Sequence, residues 1–223
     1  SGLIDKRIAF ITSISLVLLS ILLSFSVNTY LTLLLISYFL IQLAYCLQLK
    51  KRPLLDLFCI SSGFLFRSFS GLVASALNLS PWFILCVGLL SLFLAVEKRK
   101  AELSIFQKTK ICTRKVLNYY SFPLLLRLES TLATSTFMSY ALWAAGPVVN
   151  GASSSLMLLT TPLVLIGIFR YQLLGDQCEI NSENEISLNL ITEKPESVLL
   201  NDKGIRLIVF TWLVLTILIG FLT

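Results

Sequence analysis

The chain has 223 residues, of which 56% are hydrophobic, 13% are charged and none is histidine. Apolar runs of about 20 residues recur along it, which is the length needed to cross a bilayer and excludes an ordinary soluble domain. The formal net charge of +6 therefore indicates contact with a membrane surface, and we predict no nucleic-acid partner.

The apolar runs predict an all-α integral membrane protein, with residues 1–223 forming a single multi-pass domain. The predicted membrane-spanning helices are 8–27, 30–49, 54–77, 81–96, 119–143, 154–174 and 205–222. The chain begins with Ser1 and Gly2 rather than methionine, so we expect an N-terminal part to be missing.

Charge placement predicts the topology of these spans. The connections at 28–29, 78–80 and 144–153 contain no Lys, Arg, Asp or Glu, whereas the remaining flanks carry most of the charge. In an alternating topology those charged flanks lie on one side, which the positive-inside rule makes cytoplasmic. The predicted 97–118 loop is basic and would attract anionic head groups or a phosphorylated substrate.

The third span contains two charged residues, Asp56 and Arg67. They are eleven residues apart, about three helical turns, and so lie on one face, which Gly63 keeps open. A charge near mid-bilayer costs at least about 2.5–3.5 kcal/mol, so such residues indicate a functional or paired interior position. We expect Asp56 and Arg67 to be catalytic and to outline a polar cavity.

Further candidates lie toward the same side of the membrane. Asp56 is also a candidate magnesium ligand, because Mg²⁺ is usually bound by one or two carboxylates together with substrate phosphates. Arginine and lysine can clamp phosphate, although the basic residues would also serve as topology anchors. Without histidine a Ser-His triad is excluded, and transfer at a phosphorylated carbon suits these groups best. The candidate substrate-binding residues are Tyr45, Lys50, Lys98, Arg99, Lys100, Glu102, Arg170 and Tyr171.

Five strings resemble, in order and spacing, the UbiA prenyltransferase superfamily, and within it the decaprenyl-phosphate phosphoribosyltransferase branch. They are YCLQLKKRPLLD at 45–56, GFLFRSFSG at 63–71, LFLAVEKRKAEL at 92–103, FRYQLL at 169–174 and EKPESVLLNDKG at 193–204. The resemblance covers essentially the whole chain.

The resemblance implies a UbiA-like bundle of nine helices, seven of them in this chain, around a cavity opening to the cytoplasmic side. It implies magnesium dependence and transfer of 5-phosphoribosyl from phosphoribosyl pyrophosphate to a polyprenyl phosphate. The first aspartate-rich motif, with the main magnesium ligands, would lie in the missing N-terminal part, so we expect this chain alone to be inactive. Residues 98–102 stand where aromatic prenyltransferases carry a second aspartate-rich motif, and their three bases with one acid favour direct phosphate contact.

Three alternatives remain open from the sequence. Within the enzyme class, the chain could move a polyprenyl group from its diphosphate to an aromatic acceptor. In other classes, it could be a transporter whose Asp56 and Arg67 line a substrate path, or a non-catalytic remnant. The uncharged outer connections disfavour transport, because transport needs polar groups accessible from both faces.

Overall fold

The computed structural model describes residues 5–75, 80–109, 115–146, 152, 154–180 and 201–222, and these residues contain helices but no strand. The helices are α1 (Lys6–Val27), α2 (Thr29–Leu47), α3 (Leu55–Ala74), α4 (Pro81–Thr109), α5 (Phe122–Ala145), α6 (Thr161–Ile180) and α7 (Lys203–Leu222). Short 3₁₀ segments precede α3, α5 and α6, at Leu49–Lys51, Lys115–Tyr119 and Ser155–Thr160. The predicted all-α fold is confirmed.

The composition of the helices suits a bilayer. In the described part of the chain, 6 segments are long and apolar enough to cross a membrane, with mean hydropathies from 1.5 to 2.5. Large apolar side chains on α1, α2 and α7 are exposed, as expected where the neighbour is lipid. The helix α5 is not among the 6, and it instead buries polar residues such as Glu129, Thr136 and Ser139 inside the bundle.

A single residue, Asn28, separates α1 from α2. Its backbone N–H donates to Ser24 O and ends α1, while its side-chain oxygen accepts from the N–H of Tyr30 and begins α2. Asparagine is a preferred N-cap because its side chain satisfies an otherwise unpaired helix N–H. The hydroxyl of Ser24 also donates to Thr32 at 3.1 Å, which closes this tight helical hairpin.

The prediction for α4 was wrong at its C-terminal end. The span was expected to stop at residue 96 and a loop to begin at 97, but the helix continues to Thr109. Glu, Lys and Arg are good helix formers, and acids from other helices neutralise this stretch. At 1.5 Å per residue, the 29-residue helix is about 44 Å long, which exceeds the roughly 30 Å hydrocarbon core.

Some predicted features lie outside the described residues. They are Ser1 and Gly2, residues 76–77 of the third span, residues 110–114 of the predicted basic loop and residues 181–200 of the acidic segment before α7.

The helices pack mainly against their neighbours in chain order, with the α4–α5 interface the most extensive. Residues near the start of α3, α5 and α7 contact residues in the C-terminal half of α4 and in the middle of α6. This shared end of the bundle establishes the alternating direction of α3 to α7. At the opposite end, Trp212 Nε1 donates to the Tyr140 hydroxyl at 2.8 Å, and Tyr140 is 2.5 Å from the Thr160 hydroxyl.

Candidate functional site

Asp56 lies in the first turn of α3 and is completely buried. Its Oδ2 accepts a hydrogen bond from Arg99 Nε at 2.8 Å, and its Oδ1 accepts one from the Tyr120 hydroxyl at 2.6 Å. The Tyr120 oxygen in turn accepts from the N–H of Leu54 at 2.8 Å. Leu54 has a φ of 66°, a left-handed conformation that is rare for a non-glycine residue, so Tyr120 secures an unfavourable turn into α3.

Tyr120 lies between α4 and α5, because α5 begins at Phe122 and not at residue 119, where the fifth span was predicted to begin. Burial, together with the hydrogen bond that it donates to Asp56, raises the pKa of the Tyr120 phenol above its ordinary value. The phenol therefore stays protonated at neutral pH and remains a donor to the carboxylate. Both Asp56 oxygens are engaged, which leaves this buried side chain poorly suited to bind magnesium as the sequence had predicted.

Arg99 has the largest fully buried side chain of the described residues. In addition to Asp56, its guanidinium bonds Glu102, three residues further along α4. Its Nη2 is buried and has no hydrogen-bond partner in the described part of the chain. An unsatisfied buried donor is costly and calls for a water, an ion or a ligand at that point.

Lys100 is surrounded by acids from three helices. Its Nζ lies 3.4 Å from Glu97 Oε1 on α4, 2.6 Å from Glu129 Oε2 on α5 and 3.1 Å from Asp176 Oδ1 on α6. Gln172 Nε2 donates to the other Glu129 oxygen at 3.0 Å. Lys100 therefore joins α4, α5 and α6 through one buried ammonium group.

We refer to these acidic and basic residues collectively as the charge layer. It contains two cations, Arg99 and Lys100, and five carboxylates, namely Asp56, Glu97, Glu102, Glu129 and Asp176. The sequence had suggested a predominantly basic surface around residues 98–102. The opposite balance arises because three of the acids come from α3, α5 and α6, far away in sequence. Phosphate binding by Arg99, Lys100 and Glu102 stays a prediction, and both cations already have carboxylate partners.

Lys98 differs from its two neighbours. It is half-buried, and within the described residues no hydrogen bond or ion pair involves its side chain. Its ammonium group is consequently available to an anionic ligand without displacing an acid. Of the three consecutive basic residues, Lys98 is the best candidate for the predicted phosphate contact.

The sequence predicted that Arg67 and Asp56 outline one polar cavity, but in the structure they lie apart. Asp56 bonds residues of α4 and of the segment before α5, whereas Arg67 lies against α2, with its Nη2 3.3 Å from the Tyr38 hydroxyl. Arg67 and Tyr45 line a cavity between α2 and α3, and Asp56 is not part of its wall. Lys50 is exposed on the 3₁₀ segment that precedes α3.

Arg170 and Tyr171, adjacent on α6, have separate environments. Arg170 Nε and Nη2 donate to the two oxygens of Asp202 at 3.2 and 2.9 Å. Asp202 also accepts from the N–H of Ile205 at 2.7 Å and so caps α7. The hydrogen bond from Arg170 is the main reason why the pKa of Asp202 is lowered. Tyr171 packs edge-on against Phe93, with ring centroids 5.8 Å apart.

Tyr171 also lines an apolar cavity of about 580 Å³ among α4, α5, α6 and α7. Its wall runs from Tyr171 and Ile205, near the end of the bundle that carries the charge layer, to Trp143 and Met157 near the opposite end. Nearly all of the lining is hydrocarbon or aromatic, so the cavity suits an apolar chain rather than a polar solute.

The described residues contain no group of three or more His, Cys, Asp or Glu side chains that could hold a metal ion. Of the five acidic residues of the charge layer, Glu97, Glu129 and Asp176 surround the Lys100 ammonium, and Asp56 and Glu102 contact Arg99, so cationic side chains of the protein occupy the positions that a metal ion would take. The residues present therefore do not fit a magnesium site, and magnesium dependence stays a prediction drawn from the resemblance.

Several residues of these sites were not singled out from the sequence. They are Tyr38, Gln42, Tyr120, Gln172, Asp176 and Asp202. A polar residue within or beside an apolar span is a usable signal, and each of them fits it. Apart from the i,i+4 pair of Tyr38 and Gln42, their partners lie 29 to 76 residues away, and no local pattern specifies those pairings.

Residues 1–189 match the model of the UbiA prenyltransferase family. The chain belongs to this family. It is therefore an integral membrane protein of a family of transferases, as its resemblance predicted.

Curated relatives carry a more specific name. The chain is 29% identical over 220 residues to a decaprenyl-phosphate phosphoribosyltransferase of Mycolicibacterium smegmatis, with 96% of this chain and 65% of that protein covered. A Mycobacterium tuberculosis protein of the same name is 29% identical over 213 residues, covering 96% and 66%. One from Corynebacterium glutamicum is 38% identical over 146 residues, covering 64% and 44%. The chain thus spans no more than about two thirds of the length of these relatives.

Proposed function

We propose that the protein transfers a 5-phosphoribosyl group from phosphoribosyl pyrophosphate to a polyprenyl phosphate. The observation that carries this proposal is the similarity to decaprenyl-phosphate phosphoribosyltransferases, which extends over 96% of the chain for two of them. The competing outcome is prenyl transfer, the activity in the family's description, with an aromatic compound as the acceptor.

The proposed chemistry needs few proton transfers. An oxygen of the lipid phosphate bonds to C1 of the ribose, the bond from C1 to pyrophosphate breaks, and pyrophosphate leaves with the electron pair. A phosphate monoester is already ionised near neutral pH, since its second pKa is about 6. The nucleophile therefore needs no general base, in agreement with a chain that has no histidine. Catalysis consists of positioning and of charge stabilisation.

Two basic residues of α4, Lys98 and Arg99, support binding of the anionic donor. Lys98 has no hydrogen-bond or ion-pair partner within the described residues. The buried Nη2 of Arg99 is a hydrogen-bond donor without an acceptor in the same part of the chain. Both lie on the same stretch of α4, where an arginine fork and a lysine point charge can contact neighbouring phosphate oxygens. We assign Lys98 and Arg99 to the donor, and Asp56 and Glu102 orient Arg99.

The apolar cavity supports binding of a lipid substrate. It lies among α4, α5, α6 and α7 and begins at Tyr171, on the helix that sends Asp176 to Lys100. The hydrocarbon lining of this cavity suits the apolar chain of a polyprenyl substrate. We propose that the charge layer faces the cytoplasm, as the positive-inside rule predicts.

A transfer assay tests the proposal. Membranes containing the protein are incubated with phosphoribosyl pyrophosphate labelled in the ribose, polyprenyl phosphate and Mg²⁺, and label is measured in the organic-solvent extract. We expect lipid-linked label, and we expect Lys98→Gln to raise KM for the sugar donor by about tenfold, because one charge-assisted contact is lost. Labelling of a 4-hydroxybenzoate-like acceptor from a polyprenyl diphosphate, without use of the sugar donor, would contradict the proposal.

The same assay tests the sequence-based expectation that the 223-residue chain alone is inactive. The chain is compared with a form extended at its N-terminus to the length of the Mycolicibacterium smegmatis relative. Equal turnover by the two forms would contradict that expectation, whereas turnover by the extended form alone would support it.

A further inference from the structure

A second polar site lies between α2 and α3, apart from the charge layer. It is a cavity of about 180 Å³ whose polar lining residues are Tyr38, Gln42, Tyr45 and Arg67. Gly63 forms part of the wall, and a Cβ atom there would lie 3.7 Å from the Tyr38 ring. One water requires only about 10–15 Å³ of such volume, so a tetrahedral anion with ordered water fits this space.

The polar groups of the cavity are predominantly hydrogen-bond donors. The Tyr38 oxygen accepts from Arg67 Nη2 and from Gln42 Nε2, each at 3.3 Å. The Tyr38 hydroxyl proton therefore remains available to donate. Among the described residues, the other N–H groups of the Arg67 guanidinium have no hydrogen-bond acceptor. A site that offers an arginine fork and a phenol proton is complementary to an oxyanion.

Charge balance leads to the same conclusion. Arg99, Lys100 and Arg170 each have a carboxylate partner. Arg67 lies within the candidate span Leu55–Ala74, yet within the described residues its polar contact is the neutral Tyr38, whose ring centroid is 6.0 Å from the guanidinium carbon. A cation inside a membrane is costly unless it is paired, and a bound anion would provide the missing partner.

The position of the cavity favours an anion attached to a lipid. Its wall follows α3 from Cys59 to Arg67 and reaches Tyr45, two residues before the end of α2. The 3₁₀ segment after α2 carries the exposed Lys50 and Lys51. These two lysines would attract an anionic head group at the membrane surface. A head group can then enter from that surface while its apolar chain remains among lipid and helices.

We propose that this cavity binds the phosphate monoester of a lipid, with Arg67 and Tyr38 as its principal ligands. The inference deepens the proposed function by giving the acceptor phosphate its own site, distinct from the residues of α4 that we assign to the donor. The proposal makes Arg67 a substrate-binding residue, whereas the sequence had predicted a catalytic one.

Direct binding tests the site without the sugar donor. The purified protein in nanodiscs of neutral lipid is titrated with radiolabelled polyprenyl phosphate, and Kd is measured for the unchanged chain, Arg67→Gln and Tyr38→Phe. Loss of charge-assisted contacts predicts a Kd increase of about tenfold or more for Arg67→Gln. We expect a smaller increase for Tyr38→Phe, and Arg67→Lys should fall between Arg67→Gln and the unchanged chain, because lysine keeps the charge but not the fork.

Arg127→Gln is the matched control, since Arg127 is an exposed arginine on α5 that is not part of the cavity. It should leave Kd unchanged, and equal weakening by Arg127→Gln and Arg67→Gln would overturn the proposal.

Titrations with phosphatidic acid, inorganic phosphate and uncharged polyprenol identify which kind of ligand the site recognises. Arg67-dependent binding of polyprenyl phosphate alone assigns the site to the acceptor, and equal binding of phosphatidic acid assigns it to lipid phosphates generally.

The failure of this inference is distinguishable from that of the proposed function. Transfer activity with a Kd that does not depend on Arg67 or Tyr38 would overturn the site while the function stands. Arg67-dependent binding without phosphoribosyl transfer would retain the site and overturn the function. If Arg67→Gln does not fold, Tyr38→Phe decides the question, because it removes one hydroxyl and keeps every charge.

Discussion

At the scale of single residues, Lys100 shows how the charge layer is stabilised. Its ammonium lies within 3.4 Å of carboxylates on α4, α5 and α6. Desolvating a lysine is costly, and these acids compensate for that cost only while the lysine is present. Removing the cation leaves the acidic side chains of Glu97, Glu129 and Asp176 without their shared partner, so the three helices depend on it jointly.

Lys100→Met should therefore lower the free energy of unfolding by about 3–5 kcal/mol, the usual effect of breaking a buried ion pair. Lys98→Met is the matched control, because Lys98 precedes Lys100 on the same helix and has no partner in the described part of the chain. Its effect should remain within about 0.5 kcal/mol. Thermal unfolding in detergent measures both, and similar losses would contradict the assigned role of Lys100.

Tyr120 provides a second residue-scale test. Tyr120→Phe removes the donor to Asp56 and the acceptor for the Leu54 N–H, and should cost about 1–3 kcal/mol through the unsatisfied buried groups. Because the pKa of Tyr120 is raised on folding, the folded state retains the proton longer. Its stabilising contribution is then complete below the ordinary tyrosine pKa of about 10 and decreases above it.

The unchanged protein should thus lose more stability than Tyr120→Phe when the pH rises above about 10. The measurement is the midpoint of urea unfolding for both forms at neutral pH and at several pH values above that of ordinary tyrosine titration. Parallel pH profiles for the two proteins would show that the Tyr120 phenol does not have a raised pKa.

At the scale of helices, α4 shows which features a sequence can predict. The apolar stretch from Pro81 to Val96 identified the existence of the helix and its first residue. Its end was mispredicted, because the helix continues through 97–109 after hydrophobicity has ceased to be informative. The same limit applies to the site, where Asp56, Arg99 and Lys100 were recognised as candidates. Their partners are on other helices, and pairing across helices depends on packing that a linear pattern does not contain.

The approach of α6 to α4 depends on Gly175. A Cβ atom at Gly175 would lie 2.9 Å from Glu97 Oε2 and 3.4 Å from Lys100 Nζ, so Gly175→Ala must displace atoms held in the charge layer. We expect a loss of about 1–3 kcal/mol in unfolding free energy, as for other overpacked sites. Gly71→Ala on α3 meets no atom within 4 Å, and it should be neutral or stabilising by up to about 1 kcal/mol. Unfolding curves of the two variants compare these effects, and equal effects would disprove close packing at Gly175.

At the scale of the whole molecule, the contacts between helix ends constrain the topology. Asp56 at the start of α3 contacts Arg99 on α4, Lys100 contacts Glu129 on α5, and Arg170 on α6 contacts Asp202 before α7. These ends therefore lie together, and the sidedness of any one of them determines that of the others. The sequence predicted this alternation from charge placement alone, since charge is a whole-chain property that does not depend on individual side-chain pairings.

The final prediction tests which side of the membrane this end faces. Lys50, Lys51 and Arg52 precede α3, whereas the connections at 28–29, 78–80 and 144–153 have no charged residue. The positive-inside rule therefore predicts that the charge layer faces the cytoplasm. In a variant without the five native cysteines, a cysteine replacing Ser153 should react with an impermeant maleimide in intact cells. One replacing Thr109, the last residue of α4, should react only after permeabilisation, because α4 and α5 carry the chain across the bilayer in opposite directions. Labelling of Thr109→Cys alone in intact cells would invert the proposed sidedness, and labelling of both would refute the alternating topology.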